Sequence, residues 1–172
     1  MNKRYFYGTN KLADDFITNL KLIESLEGGW SEKYLDEKNE EIWLKYTIDP
    51  DKGYFWNLML STPKLTTEQI IEIALTTNFQ DEVHAAGHRL EIEENKENEF
   101  REILINKLLE LDLETLEAYE KNRIETIIIS TQLTSTFNKR EVLGKHYTEV
   151  NRDVEFFKTI AEKANSILKK LK

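Results

Sequence analysis

His84 and His88 stand four residues apart, with Glu91 three further on. That spacing puts all three side chains on one face of a helix. Two imidazoles so placed chelate zinc, and Glu91 would complete a set of three ligands. The zinc-protease arrangement needs a glutamate directly after the first histidine to act as base, and Ala85 stands there instead, which excludes that class. A metal-dependent hydrolase built on His84, His88 and Glu91 is the lesser alternative. The favoured reading has the histidines flanking a buried stripe of Val83, Ala86, Gly87 and Leu90, with no metal and no cofactor. The chain has no cysteine, so it forms no disulfide and has neither a thiolate nucleophile nor a cysteine-held cluster. Gly144-Lys145 is not a phosphate loop, because Lys139 and His146 occupy the places where that motif needs glycine and a hydroxyl residue. Neither Gly-x-Ser-x-Gly nor Gly-x-Gly-x-x-Gly occurs. Carboxylates are too numerous for spacing alone to single out an acid and base pair. The residues point away from an enzyme.

What chemistry remains is electrostatic. The net charge is −8, and residues 81–120 hold thirteen Asp or Glu against four Lys or Arg. On amphipathic helices this implies an acidic outer face that repels nucleic acid and anionic lipid and speeds encounter with basic proteins. Glu91, Glu93, Glu94, Glu97 and Glu99 are the expected partner-binding acids. Lys139, Arg140, Lys145 and His146 form a short basic patch. It could hold phosphate, but pairing with the acidic helices or with a partner's rim is the favoured reading. Aromatic residues crowd the first third, and if Trp56 packs inward, Trp43 and Phe55 face outward, either as interface anchors or covered by the N-terminal segment.

These residues must be positioned by elements whose signals follow in order along the chain. A chain of 172 residues buries enough surface to fold as one domain without a staple. Leu12, Phe16, Leu20, Ile23 and Leu26 keep helical spacing, and Gly28-Gly29 ends helices, so the pattern predicts an N-terminal helix over 10–26. Residues 30–39 read as an irregular polar connection. Period two then takes over, with Ile42, Leu44, Tyr46 and Ile48 followed by Tyr54, Trp56, Leu58 and Leu60 across Asp49-Pro50-Asp51-Lys52-Gly53, a β-hairpin over 41–62. Thr66 with Gln69 announces a helix as a capping box. A helical array is expected over 66–172: helices at 66–76, 81–94, 97–111, 113–133 and 148–171, with a loop at 134–147. The isoleucine-rich run 124–129 favours a strand by propensity, but its phase keeps a helical stripe. The expected fold is therefore mainly α, a single domain of five to six helices with one antiparallel hairpin.

The chain resembles the small acidic immunity proteins that bacteria encode beside polymorphic or contact-dependent toxins. The resemblance rests on a cysteine-free chain with Gly29-Trp30 before an aromatic hairpin, and on helices containing Asp81-Glu82-Val83-His84-Ala85-Ala86-Gly87-His88-Arg89-Leu90. It implies a non-enzymatic inhibitor that binds a toxin domain, often a basic nuclease, in the cytoplasm. No nucleic acid or membrane partner is expected, and the oligomeric state stays open. A helical scaffold or regulatory module with a non-toxin protein partner is the alternative.

Overall fold

The period-two stretches at 41–62 do pair as antiparallel strands, but they form the centre of a larger sheet. The structure, a computed structural model, describes residues 3–26, 28, 30–48, 56–95 and 99–172. The hairpin turn at Asp49–Gly53, with Tyr54 and Phe55, lies outside the described residues, as do Gly29 and Glu97. In chain order the elements are β1 (Phe6–Tyr7), α1 (Asn10–Ile17), β2 (Lys21–Leu26), β3 (Ser31–Asp36), β4 (Glu41–Thr47), β5 (Trp56–Thr62), α2 (Thr67–Thr76), α3 (Gln80–Ile92), α4 (Arg101–Leu109), α5 (Ala118–Ser130) and α6 (Tyr147–Lys170). The sheet is antiparallel in the order β1-β5-β4-β3-β2. The expectation of a mainly α domain with one hairpin is thus corrected to a mixed α/β chain.

Two residue ranges account for the difference. The predicted helix 10–26 ends at Ile17, where Asn19 N–H donates to the Phe16 carbonyl and Leu20 N–H to that of Ile17, and the chain re-emerges as β2. Leu20, Ile23 and Leu26 keep helical spacing by coincidence, since Leu22 and Ile23 are exposed on an edge strand. The polar stretch read as a connection is β3. It holds without an apolar stripe because it is bonded on both sides and cross-strand ion pairs join it, Lys33 to Glu24 at 2.7 Å and Glu32 to Lys45 at 3.5 Å. Gly28, expected to end a helix, takes φ +66° in the connection from β2 to β3.

The chain divides into two compact units, Met1–Ala86 and Gly87–Lys172. In the first, residues opposite one another across strands share a face. Trp43 lies opposite Leu60 and Thr47 opposite Trp56, so Trp43 and Trp56 point the same way. The ladder is unbroken from Trp43 opposite Leu60 to Thr47 opposite Trp56, so odd positions of β4 share a face with even positions of β5, and a register offset by one residue from the one expected reverses the faces assigned from alternation. Helix α1 covers this face, placing Ala13 against Trp43, Leu58 and Leu60, with Tyr7, Phe16 and Tyr34 around them. Trp43 is 2% exposed. It is a core residue and not the outward anchor expected of it.

Strand β1 is held from its free side. The Glu82 carboxylate, 1% exposed, accepts from Tyr5 N–H at 2.6 Å, Phe6 N–H at 3.0 Å and Thr77 Oγ1 at 2.6 Å. Arg4 pairs with Asp81, and its guanidinium lies 4.4 Å from the ring centres of both Tyr7 and Phe79. Helix α2 opens on the expected capping box of Thr66 and Gln69.

In the second unit α4 packs on α6, burying Leu104, Ile105 and Leu108 on the first and Phe157, Ile160, Ala164 and Ile167 on the second. Val154 is exposed, and Asp153 beside it is buried. The isoleucine-rich run is helical as phase predicts, with Ile124, Ile127 and Ile128 buried. A capping box of Glu117 and Glu120 starts α5. It ends in a Schellman motif: Gln132 at φ +52° donates to the Ile129 carbonyl and Leu133 to that of Ile128.

Gly8 lies where β1 meets α3, and a β-carbon there would overlap the Asp81 carbonyl. Backbone meets backbone, so neither side can swing away. Gly8→Ala should cost about 2 kcal/mol, measured as a lower denaturant midpoint at unchanged slope; an unchanged midpoint would show that the segment is not held this closely.

Candidate functional site

The acidic residues expected to meet a partner are largely occupied within the chain. Glu91 pairs with Lys139, and Glu93 with Arg89. Glu94 grips Arg101 through two bonds, Nε to Oε1 at 2.6 Å and Nη2 to Oε2 at 2.9 Å. Glu99 pairs with Arg140 at 2.9 Å. Of the expected docking face at Glu91, Glu93, Glu94, Glu97 and Glu99, the four described members are thus each paired within the chain, and Glu97 lies outside the described residues. Two of the four cations that pair with them, Lys139 and Arg140, come from the connection between α5 and α6, and no periodicity in that connection shows where it folds. Arg101 is 1% exposed, and a guanidinium taken out of water costs several kcal/mol unless it is fully bonded. Besides Glu94 it donates from Nη1 to the Gln132 carbonyl at 3.0 Å and stands 5.0 Å from the Phe157 ring centre.

The basic patch is the other half of the same pairing. Arg140 Nη1 and Lys145 Nζ each donate to Asp153 at 2.7 Å. The Lys145 bond, followed by that from Arg140, holds the Asp153 carboxyl below its ordinary 3.8. His146 caps α6, its Nδ1 accepting from Thr148 N–H while its own N–H donates to Glu149 at 3.0 Å. With Lys139 on Glu91, these four residues serve the fold and are not arranged as a phosphate site.

Pinned by these ion pairs, the connection 135–146 presents apolar side chains to solvent. Leu143 is 85% exposed and Phe137 71%. Val142, and Tyr147 at the start of α6, are exposed as well. Hydrophobic residues are usually exposed singly, and clustered exposure marks contact surfaces. Sequence reading missed Val142 and Leu143 because a segment without period offers no face to assign. A second stretch, residues 108–120, holds five acidic residues and no Lys or Arg. Among the described residues no cation pairs with Glu110, Asp112, Glu114, Glu117 or Glu120, and Leu109, Leu111 and Tyr119 are exposed beside them.

The lesser metal reading fares poorly. His84 is exposed and His88 half-buried, and Glu91, its third candidate ligand, is bonded to Lys139. Among the described residues no group of three His, Cys, Asp or Glu is placed to hold a metal ion. Nor, among them, is any helix long and apolar enough to cross a membrane. No protein-family model matches the chain, and no curated protein or solved structure is similar to it.

Because the folded pKa of Asp153 is depressed, its contribution to stability is complete above its ordinary value and is lost as pH falls through the folded value. Asp153→Asn should therefore lower stability by about 2 kcal/mol at neutral pH. The gap from the parent chain should narrow as pH drops below 3.8; denaturation curves separated by the same amount at every pH would contradict the pairing.

Proposed function

We propose that the chain is a non-enzymatic protein-binding inhibitor that acts in the cytoplasm and holds a basic partner, in the manner of the immunity proteins it resembles. The observation that carries this reading is the pinned apolar connection: Phe137, Val142, Leu143 and Tyr147 are exposed on a segment whose Lys139, Arg140 and Lys145 are all tied to carboxylates. A segment ordered before contact loses less entropy on binding, so its apolar area contributes more to affinity. Apolar anchors of this kind dominate interface energies. The partner's positive charge is inferred from Glu110, Asp112, Glu114, Glu117 and Glu120, five acids close together in sequence, in place of Glu91–Glu99.

The test uses the protein domain encoded next to this chain as partner. Association measured by stopped flow should slow markedly across a tenfold rise in ionic strength. Leu143→Asp should weaken the complex about thirtyfold while leaving the circular dichroism spectrum unchanged. A complex indifferent both to salt and to Leu143→Asp would defeat the assignment of this surface, and absence of any complex would defeat the inhibitor reading itself.

A further inference from the structure

Leu143 stands at the corner of a turn. Lys145 N–H donates to the Val142 carbonyl at 3.2 Å, and Gly144, third of the four residues so closed, takes φ +76°. A positive φ at that place is the geometry of a type II turn, with Leu143 at its first corner. A β-carbon on Gly144 would meet no atom within 4 Å, so this corner stands clear of the rest of the described chain.

The turn is tied down on both sides. Arg140 Nη1 and Lys145 Nζ each reach Asp153 at 2.7 Å, one on either oxygen of its carboxylate, and Asp153 is buried. Arg140 also pairs with Glu99 at 2.9 Å and lies 4.3 Å from the Phe156 ring centre. With its ends held on one anchor, the segment carries Leu143 as a knob on a convex support and not as part of a flat face.

Shape decides what such a knob fits. Against a flat partner it would hold the flanking surfaces apart, and the lining of the gaps would lose its contacts. Inside a pocket the leucine is surrounded and its apolar area leaves water. Both cations of the segment are committed to Asp153, so the charge offered beside the knob is that of Glu141, which is exposed. We propose that Leu143 inserts into a leucine-sized apolar pocket on the partner protein, with a basic rim facing Glu141. This insertion rests on the inhibitor reading and adds to it the form of the partner's surface.

Side-chain size at position 143 separates a pocket from a plane. Calorimetry with the domain encoded next to this chain should find Leu143→Ala about tenfold weaker, Leu143→Met close to the parent, and Leu143→Trp again about tenfold weaker, because a filled pocket resists a larger body. These substitutions fall in open solvent in the free chain, so the fold tolerates them. A complex that tightens steadily from alanine through leucine to tryptophan leaves the inhibitor reading standing and overturns the pocket. The chain alone supplies two further checks. The heteronuclear 15N NOE of the Leu143 and Gly144 amides should match that of α6, and values far below it would show a mobile tip and overturn the insertion of a preformed knob. Sedimentation should show no self-association that Leu143→Asp removes; such association would make a second copy the occupant and overturn the assignment to a different protein.

Discussion

A charge taken out of water must be met by partners inside the protein, and both units are organised around one that is. In the first it is Glu82. A strand at a sheet edge presents amide groups with nothing to bond, and the N–H of Phe6, buried on β1, is such a group. The Glu82 carboxylate covers it together with the N–H of Tyr5. The start of α3 therefore fixes a strand only two residues long, and Gly8 is required where the two backbones touch. In the second unit Arg101 has the same role with the sign reversed. Its guanidinium binds Glu94 and the carbonyl of Gln132, the residue whose left-handed backbone ends α5.

This use of charge changes what the linear charge distribution means. Along the sequence, an acidic middle followed by a basic final third suggests a strongly polar molecule. Folding brings much of the two together: Lys139, Arg140 and Lys145 return to Glu91, Glu99 and Asp153. Local pairs of this kind cancel at distance, so they do not steer a partner. Only acids without counter-ions retain a long-range field, which moves any steering surface from 91–99 to 110–120.

Sequence signals were legible where they act locally. Thr66 and Gln69 formed the capping box their spacing promises, and helical phase outweighed the β-branched composition of 124–129. The signals failed where pairing is non-local. Strand β2 is an exposed edge and β3 has a single apolar or aromatic residue on each face, Leu35 and Tyr34, so neither carries an apolar alternation, and both are defined by backbone partners that the chain supplies later. The faces of Trp43 and Trp56 were misread for a related reason, because the register that pairs odd positions of β4 with even positions of β5 is invisible until the strands are aligned. The candidate surface was hidden differently again. Phe137, Val142 and Leu143 sit in a stretch with no period, and their exposure depends on cations whose partners lie in other elements.

The pairing that occupies the acids of 91–99 also holds the loop between α5 and α6. An apolar loop free to move would collapse onto the nearest apolar surface, or would have to be ordered on binding at a cost of about 1 kcal/mol per residue or more. Three cations spaced through that loop, each tied to a carboxylate, oppose both outcomes. Leu143 lies between Arg140 and Lys145, which share Asp153 as their anchor, so the most exposed leucine of the chain stands at the crest of a span clamped at each end. Exposure of that side chain, 85%, goes with the same charge pairing that holds the helices.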